Sequence, residues 1–438
     1  MERLIEKDLV TWKNREKKMP LLVFGARQTG KTTSVFEFGK KHYSNIAVFN
    51  FEAGEKLSTV FDGNLNPDRI VRELEIYAGQ SINKNTLIFF DEVQCCPKAL
   101  SSLKYFSESA PEYNIIAAGS LLGVAVNRRK NAVDANSVSF PVGKVEILTM
   151  FPMNFEEFLQ AANPRLLDDI KESFQTNLPL SEMSHEKALE LYRTFLFTGG
   201  MPRAVADYLE KRDFDFVRIK QNEILILYTA DMAKYTTPAE QVKIAAIYDS
   251  IPSQLARENK KFQYRIVGSG ARTVTYETGL DWLKNAGLVL KCGKAREGKI
   301  ALKNYEDMLS YKIYMSDVGL LNAKSAVPKN IVLTGSGFGA EAKGAMTENY
   351  VAQELAFNGN ALFYWESKGK AEVDFLLQSG QGIIPLEVKA AENVQSKSLK
   401  EFVKRYSPAF SIRISAKNFG FENNIKSVPL YAVFCIKP

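Results

Sequence analysis

Short, nearly unbroken apolar runs alternate with longer stretches of helical spacing, and the alternation is most regular in the first third of the chain. The runs are "MPLLVF", "IAVFNF" (46–51), "NTLIFFD", "NIIAAGS" (114–120) and "KVEILTM" (144–150). Runs of this length, with no polar alternation, fit strands buried on both faces. The segments between them carry apolar residues at helical spacing. Residues 1–150 are therefore predicted to form an α/β domain: a doubly wound parallel sheet with helices on both faces.

Past residue 150 the pattern becomes helical and charged. Residues 151–238 are predicted to be a helical lid or connector, broken at Gly199-Gly200-Met201-Pro202. Residues 239–325 read as two helices, a third with a mixed polar face, then a short hairpin, which is a winged-helix-like order. The third helix would present Arg272, Thr273, Thr275, Tyr276 and Lys284, either to DNA or to a packing partner within the chain. Residues 340–438 return to a mixture of strands and helices, predicting a second α/β domain.

Composition narrows the class without fixing it. Apolar residues are 45% and charged residues 24% of 438, as in ordinary globular proteins. The net charge of +7 permits an acidic partner such as nucleic acid but does not establish one. Four cysteines without a CxxC pair, and only two histidines, argue against a zinc site or a disulfide framework. The longest apolar stretch, "IIAAGSLLGVAV", is too short to span a bilayer. A cytoplasmic setting with no membrane contact is the expectation.

The clearest chemistry is "FGARQTGKTT". Gly25, Ala26, Arg27, Gln28, Thr29, Gly30, Lys31 and Thr32 complete G-x-x-x-x-G-K-[ST] between a strand and a helix, and Thr33 continues the first turn. The glycines let backbone N–H groups curl around one anion at the positive end of a helix. Lys31 would reach the β/γ-phosphates of ATP, and the Thr32 hydroxyl would ligate Mg²⁺. "LIFFDEVQ" supplies the complement: Asp91 would hold Mg²⁺ through water, and Glu92 would deprotonate the attacking water. Ser120, closing the next run, either senses the γ-phosphate or caps a helix. Arg128, Arg129 and Lys130 form either a solvated basic loop or an arginine finger for a neighbouring subunit.

"AEVDFLLQSGQGIIPLEVKA" (371–390) sets acids among apolar residues. In a strand Glu387 and Lys389 share a face, while Asp374 comes from the neighbouring strand. Buried carboxylates need compensation. Asp374 and Glu387 could chelate Mg²⁺, with Glu348 from the preceding helix completing the shell. Lys389 would then orient water or stabilise charge on a phosphate; the other reading is a structural Asp–Lys pair.

This D…E-x-K constellation resembles the PD-(D/E)XK nucleases, particularly their RecB-like branch. The following helix offers Ser398, Lys400 and Tyr406 in place of that branch's Gln-centred motif. Over nearly its whole length the chain resembles bacterial and archaeal AAA-type P-loop ATPases with a C-terminal nuclease-like domain. The resemblance rests on "FGARQTGKTT", "LIFFDEVQ", "AAGSLLG", "FPMNFEEFL", "TGGMPRAV", "YMSDVGLLNA" and "AEVDFLL…PLEVKA". It implies an AAA/ASCE-type sheet, ATP and Mg²⁺ as cofactors, ATP hydrolysis, a restriction-endonuclease-like C-terminal fold that binds or cleaves DNA, and a homo-oligomer. The implied alternative is a nucleotide switch whose C-terminal domain docks a partner without cutting. Where these proteins often carry Arg before the fifth strand, this chain reads Val142-Gly143-Lys144.

Overall fold

The computed structural model describes residues 1–53, 55–120, 140–268, 273–337, 339–367, 371–380, 382–390 and 397–438. The chain divides into two compact units. One holds Glu2–Pro152 with Asn285–Gly287, and the other holds Met153–Lys284 and Leu288–Pro438.

In the first unit, the five apolar runs become β1 (Leu21–Phe24), β2 (Asn45–Asn50), β3 (Thr86–Asp91), β4 (Asn114–Ala118) and β5 (Glu146–Thr149). They pair in parallel in the order β2-β3-β4-β1-β5. The strands read as unbroken apolar runs because both faces are covered. Leu21, Val23, Leu87, Phe89, Ile116 and Ala118 point to one side, where Leu9, Trp12, Val35 and Phe38 of helices Ile5–Lys13 and Lys31–His42 pack. Their neighbours Leu22, Ile88, Phe90, Ile115 and Ala117 point to the other, against helices Pro67–Ala78 and Pro97–Ser109. Helix Pro67–Ala78 shows local sequence logic: the Asn66 side chain accepts from Arg69 N–H, Pro67 opens the first turn, and Gly79 ends the helix in left-handed backbone. This architecture is the doubly wound sheet expected from the sequence, and β4 stands between β1 and β3.

The second unit begins with a run of helices, Phe155–Ala162 through Pro238–Leu255, around a buried aromatic group. Phe155 and Phe195 lie 5.4 Å apart by ring centroid, and Tyr192 and Tyr350 lie 5.0 Å apart. Next come helices Tyr264–Val267 and Thr273–Asn285, followed by β6 (Val289–Ala295) and β7 (Glu306–Met315), which pair antiparallel. The hairpin is not a free wing. β6 also pairs in parallel with β8 (Phe363–Ser367). That joins the hairpin to β9 (Ala371–Ser379), β10 (Gly382–Val388), β11 (Ser411–Ser415), β12 (Gly420–Glu422) and β13 (Ile425–Pro429) in one eight-stranded sheet, ordered β12-β13-β11-β10-β9-β8-β6-β7. The C-terminal half thus contains a second α/β sheet, built from β6 and β7 before residue 325 and from β8 to β13 after residue 340. Among the described residues no helix is long and apolar enough to cross a membrane.

Three of the motifs named above meet inside this second unit. Gly200 N–H donates to Asp317 Oδ2 at 2.6 Å, and Met153 N–H donates to the Gly200 carbonyl at 2.6 Å. A Cβ on Gly200 would fall 1.8 Å from the Met153 carbonyl oxygen. Helix Ala340–Phe357 holds the neighbouring amides: Asn349 accepts from Met315 N–H (2.8 Å), Gln353 from Val318 N–H (2.8 Å) and Glu354 from Phe155 N–H (3.0 Å). These polar residues sit in an apolar interior because each satisfies a buried backbone group. The glycine pair is part of a packed core.

Candidate functional site

The phosphate loop follows β1 directly. Gly25 has φ +151°, and a Cβ there would lie 2.2 Å from the Met150 carbonyl oxygen, so only glycine fits. Gly30 has φ +93° and opens helix Lys31–His42, turning the loop into the helix start. Thr29 is fully buried, and its hydroxyl donates to the Ala26 carbonyl at 3.0 Å. Lys31 folds back over the loop, its ammonium donating to the carbonyls of Gly25 (2.9 Å) and Ala26 (2.7 Å). Arg27 is half-buried, and Gln28, Thr32 and Thr33 are exposed at the loop surface.

Asp91 ends β3 opposite the start of that helix. The Thr32 hydroxyl lies 3.0 Å from Asp91 Oδ2 and 3.2 Å from Oδ1. Burial pushes the Asp91 carboxyl above the ordinary carboxylate range, against the opposing pull of the Thr32 hydroxyl. Glu92 follows in left-handed backbone, φ +51°, with its N–H donating to Asp91 Oδ1 at 3.1 Å. The Glu92 carboxylate accepts from Ser120 Oγ at 3.3 Å and from Gln94 Nε2. Strand order explains the gathering: β1, β3 and β4 are neighbours, so Lys31, Asp91, Glu92 and Ser120 leave the same edge of the sheet. A hydroxyl facing a buried carboxylate is a pair of hard oxygen donors and suits Mg²⁺.

One contributor carries no motif. The guanidinium of Arg3 donates to the Thr29 carbonyl at 2.7 Å and to the Phe151 carbonyl at 2.9 Å. Nothing in "MERLIEKD" marks it, because its partners are remote in sequence. Lys144 pairs with Glu108 at 3.0 Å. Arg128, Arg129, Lys130 and Arg272 lie outside the described residues, as do the side chains of Thr273 and Thr275. Lys284 is paired with Asp281 at 3.1 Å.

The C-terminal acids are arranged differently from the expectation. Extending the register Leu386↔Phe375 by one residue sets Glu387 opposite Asp374. Glu387 and Lys389 share a face as expected, and their ion pair is 2.8 Å long. Asp374 Oδ2 accepts from Val388 N–H at 2.8 Å. Glu348, however, is held by residues the sequence reading did not single out: Lys312 (2.9 Å), Lys260 and the Tyr314 hydroxyl. Burial alone would raise the Glu348 carboxyl, but the Lys312 and Lys260 ammonium groups outweigh it and bring it down to about 2. Burial, then the Glu348 charge, lifts Asp374 to about 7. Among the described residues no group of three or more His, Cys, Asp or Glu side chains is placed to hold a metal ion. Glu348, expected beside Asp374 and Glu387 as a Mg²⁺ ligand, is paired here with the Lys312 and Lys260 ammonium groups. Lys312 lies inside "SYKIYM", where a single charge in an apolar strand was the signal available.

The helix after β10 also differs in use. Ser398 Oγ accepts from Glu372 N–H at 3.3 Å, and the Tyr406 hydroxyl donates to Glu297 Oε2 at 3.0 Å.

Comparison with family models agrees with the geometry of the first unit. Residues 17–159 match the family described as AAA domain (AAA_14). Residues 189–330 and 343–433 match two domains of unknown function, DUF8612 and DUF4143. An uncharacterized protein of Methanocaldococcus jannaschii, MJ1544, is 24% identical over 370 residues, covering 81% of this chain and 71% of that protein. Among solved structures, the Walker-type ATPase PABY2304 of Pyrococcus abyssi is 16% identical with a TM-score of 0.44, over 74% of this chain and 95% of that one. AMPPCP-bound DnaA from Aquifex aeolicus is 15% identical with a TM-score of 0.25, over 64% of this chain and 86% of that one. The phosphate loop, Asp91, Glu92 and Ser120 all fall within the residues that match the AAA domain.

Proposed function

We propose that the protein binds ATP with Mg²⁺ in the loop Gly25–Thr32 and hydrolyses it to ADP and phosphate. The observation that carries this reading is the meeting of Thr32 and Asp91 at 3.0 Å, at the helix start that Lys31 and the glycines form. The backbone of residues 26–33 cradles the phosphates, and Lys31 exchanges its two carbonyl partners for phosphate oxygens. Thr32 and, through water, Asp91 would hold Mg²⁺, which when bound supplies charge that offsets the phosphate oxygens. Glu92 takes the proton of the attacking water, and Ser120 holds the Glu92 carboxylate in place.

The test is steady-state ATP hydrolysis beside nucleotide binding by calorimetry. Lys31→Ala should abolish binding. Undiminished affinity in that variant would remove the foundation of the proposal.

For the second unit, the lysines on Glu348 favour the non-cleaving reading: a nucleotide-dependent switch whose C-terminal sheet binds a partner. DNA is the partner to test first, because the chain carries a net charge of +7. ATP turnover measured with and without single- and double-stranded DNA, beside a nuclease panel, separates the outcomes. DNA cleavage lost in Asp374→Ala would restore the nuclease reading.

A further inference from the structure

Lys312 serves no step of nucleotide chemistry, yet its side chain is completely buried. Its ammonium donates to Glu348 Oε1 at 2.9 Å and to Glu372 Oε1 at 2.6 Å, and it lies 5.0 Å from the centroid of the Tyr364 ring. An ammonium inside a protein is tolerated only with such partners. The other Glu348 oxygen is taken by Lys260, and the Tyr314 hydroxyl shares the first. A divalent ion approaching Glu348 would have to displace charge-assisted hydrogen bonds and would meet a fixed positive charge. Both work against it.

We propose that Lys312 is the resident cation of the C-terminal site. It neutralises Glu348 and Glu372 in place of a divalent ion, and it keeps the Glu348 carboxylate closed to metal. The inference is independent of the nucleotide reading and is tested without nucleotide.

The probe is Mn²⁺, titrated into the full chain and followed by its paramagnetic resonance, in an Asp91→Asn background that removes the phosphate-loop carboxylate. Protein with Lys312 should leave Mn²⁺ free at millimolar concentration. Lys312→Met should take up Mn²⁺ and lose it again when Glu348→Gln is added. Without Mn²⁺, Lys312→Met should melt on the order of 10 °C lower, because it leaves buried carboxylates without their counter-charge. Added Mn²⁺ should return part of that loss. Should Lys312→Met fail to fold, Lys312→Met/Glu348→Gln, which removes charge and counter-charge together, should fold. Mn²⁺ bound by the Lys312 protein and released by Glu348→Gln or Asp374→Asn overturns the proposal. So does a folded Lys312→Met protein that gains no Mn²⁺, and so does a double variant that melts no higher than the single one.

Discussion

The guanidinium of Arg3 donates to the carbonyl of Thr29 at 2.7 Å, and so ties the start of the chain to the residue before Gly30. The same guanidinium reaches the Phe151 carbonyl at 2.9 Å, just past β5. Two hydrogen bonds from one charged group thus fix the loop against the end of an adjacent strand. Arg3→Met should loosen the loop and weaken ATP binding by about tenfold, the size expected when a charged group's hydrogen bond is lost. Isothermal titration would show it. Affinity equal to wild type would mean that the loop holds its shape without Arg3.

Glu92→Gln keeps the hydrogen-bonding shape and removes the base. Nucleotide affinity should stay within a few-fold, while kcat falls by about 10²- to 10⁴-fold. A multiple-turnover phosphate-release assay checks this. Turnover near wild type would assign the proton to another group.

Asp374 gives the stability of the second unit a pH dependence of defined sign. Its carboxyl is lifted from an ordinary 3.8 to about 7. A group raised in this way binds its proton more tightly when folded, so its stabilising contribution is full below about pH 4 and is lost as pH rises to about 7. Asp374→Asn copies the protonated form without titrating. It should leave the protein unchanged near pH 4 and stabilise it at pH 8 by on the order of 3 kcal/mol. Glu348, held at about 2, acts in the opposite sense below about pH 4.5, at the acid end of this window, and it is present in both proteins. Melting midpoints of the two proteins from pH 4 to 8 provide the comparison. Parallel curves would contradict the assignment.

Gly200→Ala would drive a methyl group into the Met153 carbonyl, 1.8 Å from its oxygen, while the Gly200 N–H is held by Asp317 and the preceding Gly199 is packed against Gly319. The loss should be about 3 kcal/mol or more. Chemical denaturation of the second unit is the measurement, and a loss under about 1 kcal/mol would show that this turn can relax.

The parallel sheet of the first unit was legible because burial on both faces writes each strand as an unbroken apolar run. The phosphate loop was legible because its glycines and lysine are consecutive. The pairing of β6 with β8 was not, since nothing in either run names a partner some 70 residues away. Lys312 and Arg3 escaped for the same reason: each is defined by what it reaches, and Lys312 reaches 36 and 60 residues along the chain to Glu348 and Glu372. Strand spacing suggested a place for a metal at Asp374 and Glu387, but it could not reveal that a lysine from a distant strand lies against Glu348 and Glu372.

Because β8 is flanked on one side by β6, the residues after 340 do not own both borders of their sheet. A fragment trimmed to begin there would expose the unpaired backbone of a buried aromatic strand, Phe363-Tyr364-Trp365, to any other strand in solution. Work on the C-terminal half in isolation should therefore retain the hairpin at 289–315. Self-association of a shorter piece would reflect where it was cut and would carry no information about how the intact protein assembles.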